Sequence, residues 1–116
     1  MKYMFLIYSA ETAGPKPGTD EFGKMIADYG TFTKNAIASG HFEGGAPLEG
    51  VDTATTVRVR GGKSRMTDGP FAETKEVLGG YYLMECKDLD EALGLAAQIP
   101  TAAYGSIEVR AVSDVG

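Results

Sequence analysis

The chain has no tryptophan, one cysteine and one histidine in 116 residues, and fewer basic than acidic side chains. Each shortage excludes something. With Cys86 alone there is no intrachain disulfide and no cysteine-rich zinc site, and a reducing cytoplasm is the simplest home. With His41 as the only imidazole, one side chain has an unperturbed pKa near neutrality. A metal site would need His41 to converge with Glu43, Asp68 or Glu73, a set without ligand spacing, so no metal is expected. The 11 Lys and Arg against 16 Asp and Glu leave a formal net charge of -5. No contiguous Lys/Arg run interrupts that balance, so nucleic acid is not an expected partner. Nothing approaches 18 consecutive apolar residues, and the apolar start from Met1 to Tyr8 is too short for a signal segment, so no membrane association is expected either. The pairs Gly44-Gly45, Gly61-Gly62 and Gly79-Gly80 fit neither GxGxxG nor GxxxxGK, which leaves a nucleotide cofactor without support.

What is present describes one domain. A chain of this length can bury roughly 65% of its unfolded surface, enough for a core. Lys2 to Tyr8 is apolar on both alternating sides and reads as a central strand. After a loop rich in Pro and Gly, Thr19 caps a helix whose stripe is Phe22, Met25, Ile26, Tyr29, Phe32, Ala36 and Ile37, stopping at Ser39-Gly40. Gly23 and Gly30 each cost about 1 kcal/mol inside that helix. His41 to Glu49 reads as an irregular or edge strand. Thr53 to Arg60 alternates and turns at Gly61-Gly62 into Lys63 to Thr67. Val77 to Cys86 is again apolar on both sides. Asp88 and Glu91 form a capping box for a helix ending at Pro100, and Tyr104 to Val112 is a last strand.

That order, strand, helix, strands, helix, strand, predicts an α+β, ferredoxin-like βαββαβ sandwich with an extra β-hairpin. Two helices cover one face of such a sheet. The strands from Lys2 and Val77 are apolar on both faces, so the second face predicts a homodimer packed sheet against sheet as a dimeric α+β barrel.

Chemistry concentrates between Thr67 and Glu76. Asp68-Gly69-Pro70 is turn chemistry, and Glu73, Thr74, Lys75 and Glu76 crowd charges where a core strand begins. Two readings of Asp68 stay open: a general base or ligand anchor beside a cavity, or a turn residue bonding backbone amides. Glu73, Lys75 and Glu76 form either a charged lid or surface ion pairs. Arg58 and Arg110 suit bidentate clamping of a carboxylate or phosphate, or simply solvation on polar strand faces. Of Tyr81 and Tyr82, one packs on the helices and the other faces the dimer cavity. His41 lies at a helix end, where an exposed imidazole near carbonyls needs no catalytic role, and Cys86 reads as buried and inert.

The run Asp68-Gly69-Pro70-Phe71-Ala72-Glu73-Thr74-Lys75-Glu76, followed by Leu78-Gly79-Gly80-Tyr81-Tyr82, resembles the DGPF family of the YCII-related superfamily. Lys2 to Tyr8, Thr55-Thr56-Val57-Arg58, Leu89-Asp90-Glu91-Ala92 and Glu108-Val109-Arg110 extend the likeness over nearly the whole chain. The resemblance implies a bacterial, dimeric α+β barrel. It implies an enzyme-like protein acting by acid/base chemistry on a small organic acid or lactone, or alternatively a non-catalytic ligand-binding or regulatory module working with an extracytoplasmic-function sigma factor. The wider superfamily resembles muconolactone isomerase and chloromuconolactone dehalogenase, with a His on the first helix and an Asp-Pro after the second as the proposed acid/base pair. Here the first helix has no His and Ile99-Pro100 replaces the Asp-Pro, so that dyad does not carry over.

Overall fold

Alternating apolar strands and two capped helices assemble as the sequence predicts. The computed structural model describes residues 1–114. In chain order the elements are β1 (Lys2–Ser9), α1 (Asp20–Ala38), β2 (Phe42–Pro47), a 3-10 turn (Val51–Thr53), β3 (Thr55–Arg60), β4 (Lys63–Asp68), β5 (Val77–Glu85), α2 (Leu89–Ala96), a second 3-10 turn (Pro100–Ala103) and β6 (Ser106–Ala111). β2, β5, β1 and β6 form one sheet in that order, with antiparallel neighbours. β3 and β4 pair only with each other. With that ribbon set aside, the arrangement is ferredoxin-like: the first and third strands of the βαββαβ unit lie in the middle.

The central pair carries the core. Tyr3, Phe5 and Ile7 of β1 and Tyr82 and Met84 of β5 point towards the helices and are buried, with Phe5 and Met84 wholly excluded from solvent. Phe32 and Ala36 of α1 and Ala92 and Ala96 of α2 close over them. The Phe32 and Tyr82 rings meet edge to face at 5.2 Å between centroids. Met4, Leu6, Tyr8, Tyr81 and Leu83 alternate to the opposite face. No element of the described chain lies over that face as a second layer.

Both helix starts are capped. The Thr19 hydroxyl accepts from the Phe22 amide at 3.2 Å, and the Asp88 carboxylate accepts from the Glu91 amide at 2.9 Å. Glu91 reaches back to the Lys87 amide at 3.0 Å, one residue earlier than a standard capping box. Several boundaries differ from the sequence reading: β2 spans Phe42–Pro47 rather than His41 to Glu49, and β3 starts at Thr55 rather than Thr53, because Val51–Thr53 winds into a 3-10 turn. α2 ends at Ala96 rather than at Pro100, because Pro100 begins a separate 3-10 turn, a first-turn position where a missing amide costs nothing. β6 starts at Ser106 rather than Tyr104, whose amide is still held by the Thr101 carbonyl. At the ribbon tip Gly61 and Gly62 take φ of 58° and 77°, the left-handed pair that matches strand twist in a two-residue hairpin.

Since Phe5 is enclosed by both helices and β5, truncation leaves a cavity that neighbours cannot refill. Phe5→Ala is expected to lower unfolding free energy by about 3–5 kcal/mol in a denaturant titration.

Candidate functional site

A large hollow lies where α1 fails to seal the sheet. The α1 residues Met25, Ile26, Gly30, Thr33 and Ile37 face Phe42, Gly45, Ala46 and Pro47 on β2 and Gly80 and Tyr82 on β5 across a cavity of about 790 Å³. That lies within the usual range for small-molecule sites. Ile26 and Ile37 keep 53% and 58% of their surface exposed, so the apolar stripe of α1 is wider than the sheet it covers. From Ile26 to Ile37 the cleft runs about 16 Å along the helix at ~1.5 Å per residue. Gly45 lets β2 pass close to β5, because a Cβ there would stand 2.7 Å from the Tyr81 carbonyl oxygen. Gly30 is different: a Cβ would meet nothing within 4 Å, and its backbone is ordinary helix. Neither packing nor conformation calls for glycine at position 30, and the space it leaves belongs to the cavity.

The cavity's polar groups are hydroxyls. Tyr29 is hydrogen-bonded to Thr101, and Thr33 to Tyr82 at 2.7 Å. Each pair uses one of its two hydroxyl protons internally, so each retains one donor for a bound molecule. Burial raises the Tyr29 pKa above its ordinary value, which keeps the phenol neutral. No carboxylate, imidazole or thiol borders the cavity, and Lys34 is the one charged side chain that does.

The residues singled out from sequence lie elsewhere, in two groups. The first surrounds the ribbon's root. Gly69, with φ of 94°, donates its amide to the Ala54 carbonyl at 2.7 Å, and the Thr56 hydroxyl donates to the Gly69 carbonyl at 2.8 Å. Backbone therefore holds the turn, while the exposed Asp68 carboxylate makes no hydrogen bond or ion pair among the described residues. Glu76 accepts from the Ser106 hydroxyl at 2.7 Å and borders a second hollow of about 560 Å³ with Tyr8, Val51, Phe71 and Leu78. Glu73 and Lys75 are exposed, without ion pairs among the described residues. Arg58 reaches the Phe71 carbonyl at a long 3.4 Å. The second group, Tyr81 and Arg110, shares the open face of the sheet, while Tyr82 packs on the helices. Tyr81 also borders the large cavity, the one sequence-derived candidate that does. Within one chain these residues do not converge on a single cavity.

Sequence reasoning misses two features. The α1 residues around the cavity read as core, since an apolar stripe shows which face is covered but not how completely. The ribbon escapes notice because its cations are not contiguous. Arg58 stands opposite Arg65 and Arg60 opposite Lys63, so strand alternation gathers four cations on one face and leaves Val57, Val59 and Met66 exposed on the other. The spacing in Arg58-Val59-Arg60-Gly61-Gly62-Lys63-Ser64-Arg65 is the signal that carries it.

His41 bridges the two helices. One ring nitrogen, Nδ1, lies 2.6 Å from the Ser39 hydroxyl, and Nε2 lies 3.1 Å from Glu91. With Nε2 as donor to the carboxylate, a neutral ring accepts from Ser39, whereas a protonated ring sends the hydroxyl proton to the Ala36 carbonyl, 3.2 Å away. Residue types match a nucleophilic triad, but oxyanion donors are lacking. The Ser39, Gly40 and His41 amides are engaged by the Asn35, Ile37 and Ala36 carbonyls at the helix terminus. The contact is a tie between elements. Cys86 is buried below it, its thiol pKa raised by burial and by the Glu91 and Glu85 carboxylates, which makes it a poor nucleophile.

The sequence model of the YCII-related domain matches residues 1–115. The chain belongs to the YCII-related family. A relative in Rhizobium meliloti (strain 1021), an uncharacterised protein, is 36% identical over 112 residues, covering 95% of this chain and 90% of its own. Among solved structures, 5-chloro-2-hydroxyhydroquinone dehydrochlorinase (TftG) of Burkholderia phenoliruptrix, in complex with 2,5-dihydroxybenzoquinone, superposes with a TM-score of 0.53 over 97% of this chain and 94% of that one. At 15% identity the likeness establishes the shared fold. For this YCII-related chain no helix among the described residues is long and apolar enough to cross a membrane.

The amide of Lys87, and secondarily His41, hold the Glu91 carboxyl below its ordinary pKa of 4.5. A depressed carboxyl contributes stability above its unfolded pKa and loses it as pH falls through the folded value. Glu91→Gln should therefore melt below wild type at neutral pH, and the two melting temperatures should converge as acidification carries the folded carboxyl through its lowered pKa.

Proposed function

We propose that this YCII-related protein is an enzyme-like binder of a small, largely apolar organic molecule, which lies in the cleft between α1 and the sheet. The observation that carries this reading is Gly30. A helix interior that takes glycine in place of alanine loses about 1 kcal/mol, and here no steric contact or backbone angle demands it. Gly23 and Gly94 are equally unconstrained, but of these three helical glycines only Gly30 borders the cavity, where a side chain would take up its volume. Two unspent hydroxyl donors, one in each pair at Tyr29–Thr101 and Thr33–Tyr82, suit carbonyl or hydroxyl oxygens on a ring. The 2,5-dihydroxybenzoquinone held by the dehydrochlorinase is an oxygenated ring of that kind.

A second copy of the chain completes the proposal. Its support is the row Met4, Leu6, Tyr8, Tyr81 and Leu83, apolar side chains on a sheet face that no element of the described chain covers. Any acid/base role for Asp68, or ligand contact by Arg58, Glu73, Lys75, Glu76 and Arg110, belongs to that assembled state, because none of the six borders the cavity of a single chain.

Two measurements test this. Gly30→Ala should raise the melting temperature of the free protein, as should Gly23→Ala, two turns earlier on the same face but outside the cavity lining. Only the substitution at position 30 should weaken binding of small cyclic phenols and esters, and Gly30→Leu should abolish it; equal binding by all four proteins removes the cavity from consideration. In sedimentation the wild type should run at twice the 12.3 kDa chain mass, and Leu6→Asp should run as a monomer.

A further inference from the structure

The mouth of the cleft carries one exposed charge without an ion-pair partner among the described residues. Lys34 is the single charged residue along it, placed one turn beyond Gly30 and three residues before Ile37. On α1 the positions that could pair with it, three or four residues away, hold Gly30, Thr31, Ile37 and Ala38, none of them acidic. The same helix shows the alternative: Lys24 is tied to Asp28 at 2.7 Å, four residues on, away from the cavity. Among the described residues Lys34 makes no ion pair. Glu43 adjoins the cavity residue Phe42 in sequence but does not border the cavity.

Towards Ile26 the cleft is neutral and donor-rich. Tyr29 and Thr101 lie there, and Tyr29 precedes Lys34 by five residues, about 7.5 Å of helix rise. Between Tyr29 and Lys34 the walls are Gly30, Phe42 and Tyr82, with the Thr33 hydroxyl tied to Tyr82. A complementary molecule therefore has an anionic group for Lys34, a flat apolar middle, and an oxygen that accepts from one of the cleft's hydroxyls.

We propose that Lys34 is the specificity-determining residue of this cleft and selects monoanionic cyclic carboxylates over their neutral counterparts. The inference rests on the cavity reading above and goes further, since that reading is indifferent to charge. It also moves anion recognition away from Arg58 and Arg110, which do not border the cleft. A lysine at the mouth supplies a point charge on a flexible stem, which suits capture of an anionic end while the apolar body decides the depth of entry.

The test is a calorimetric titration of the full chain with 4-hydroxybenzoate and with its methyl ester, which keeps the ring and the phenol and removes the charge. Wild type should bind the acid about three- to fivefold more tightly than the ester, the scale of one solvent-exposed ion pair. Lys34→Gln should lose that preference while binding the ester as before, and Lys34→Arg should retain it. Raised salt should weaken the acid alone. Equal binding of acid and ester by wild type, or an undiminished preference in Lys34→Gln, overturns the assignment of Lys34 and leaves the cavity reading intact. Binding of neither compound overturns both.

Discussion

Everything in this molecule depends on the antiparallel pairing of β1 with β5. Phe5 lies opposite Tyr82 and Tyr3 opposite Met84, so one register places four large side chains under the helices. Because strand side chains alternate, the same register sends Met4, Leu6, Tyr81 and Leu83 to the other side. A slip of one residue would exchange the two sets, and neither face is polar enough to make that exchange prohibitive. What fixes the register is shape. The helix-side set meets Phe32, Ala36, Ala92 and Ala96 in close packing, and the bulge at Ile7/Tyr8 opposite Leu78 and Gly80 pins the strands at one end.

The helix layer follows from that pairing, and so does its defect. α2 is eight residues long and packs small alanines against the core, so it sits close to the sheet. α1 is 19 residues long, with bulky residues on a broad stripe, and only Phe32 and Ala36 of that helix are buried. Its remaining apolar residues overhang β2, an edge strand that beyond Phe42 and Glu43 continues as Gly44, Gly45, Ala46 and Pro47, with little side chain to meet them. A long helix over a strand of small residues leaves a cleft for geometric reasons. Hydroxyl pairs at Tyr29–Thr101 and Thr33–Tyr82 each spend one proton internally and keep one for a bound molecule, and Lys34 supplies its single charge.

The ribbon stands apart from this scheme. Like charges directly opposite on paired strands oppose each other by a few tenths to about 1 kcal/mol per pair, and Arg58–Arg65 and Arg60–Lys63 are two such pairs. The hairpin tolerates them because its cations are fully solvated, and its fold is secured at its ends by Gly61-Gly62 and by the Gly69 bonds to Ala54 and Thr56.

Sequence by itself determined the elements and their order. Periodicity, the caps at Thr19 and Asp88 and the glycine turns are local, and local rules read them, including the two-sided apolar strands from Lys2 and Val77. The boundaries at Ala96 and Ser106 shift because the 3-10 turn from Pro100 to Ala103 is held by contacts to Ile99 and Thr101 that periodicity does not register. The site is less legible. Asp68 to Glu76 draws attention because charge density shows in a linear sequence, whereas the cleft is bordered by Ile26, Gly30 and Ile37, whose types are those of ordinary core. Whether an apolar residue fills a core or walls a cavity depends on how far the facing strand stands from the helix. That distance is set by β2 and β5 packing through glycine, and only the tertiary structure decided it.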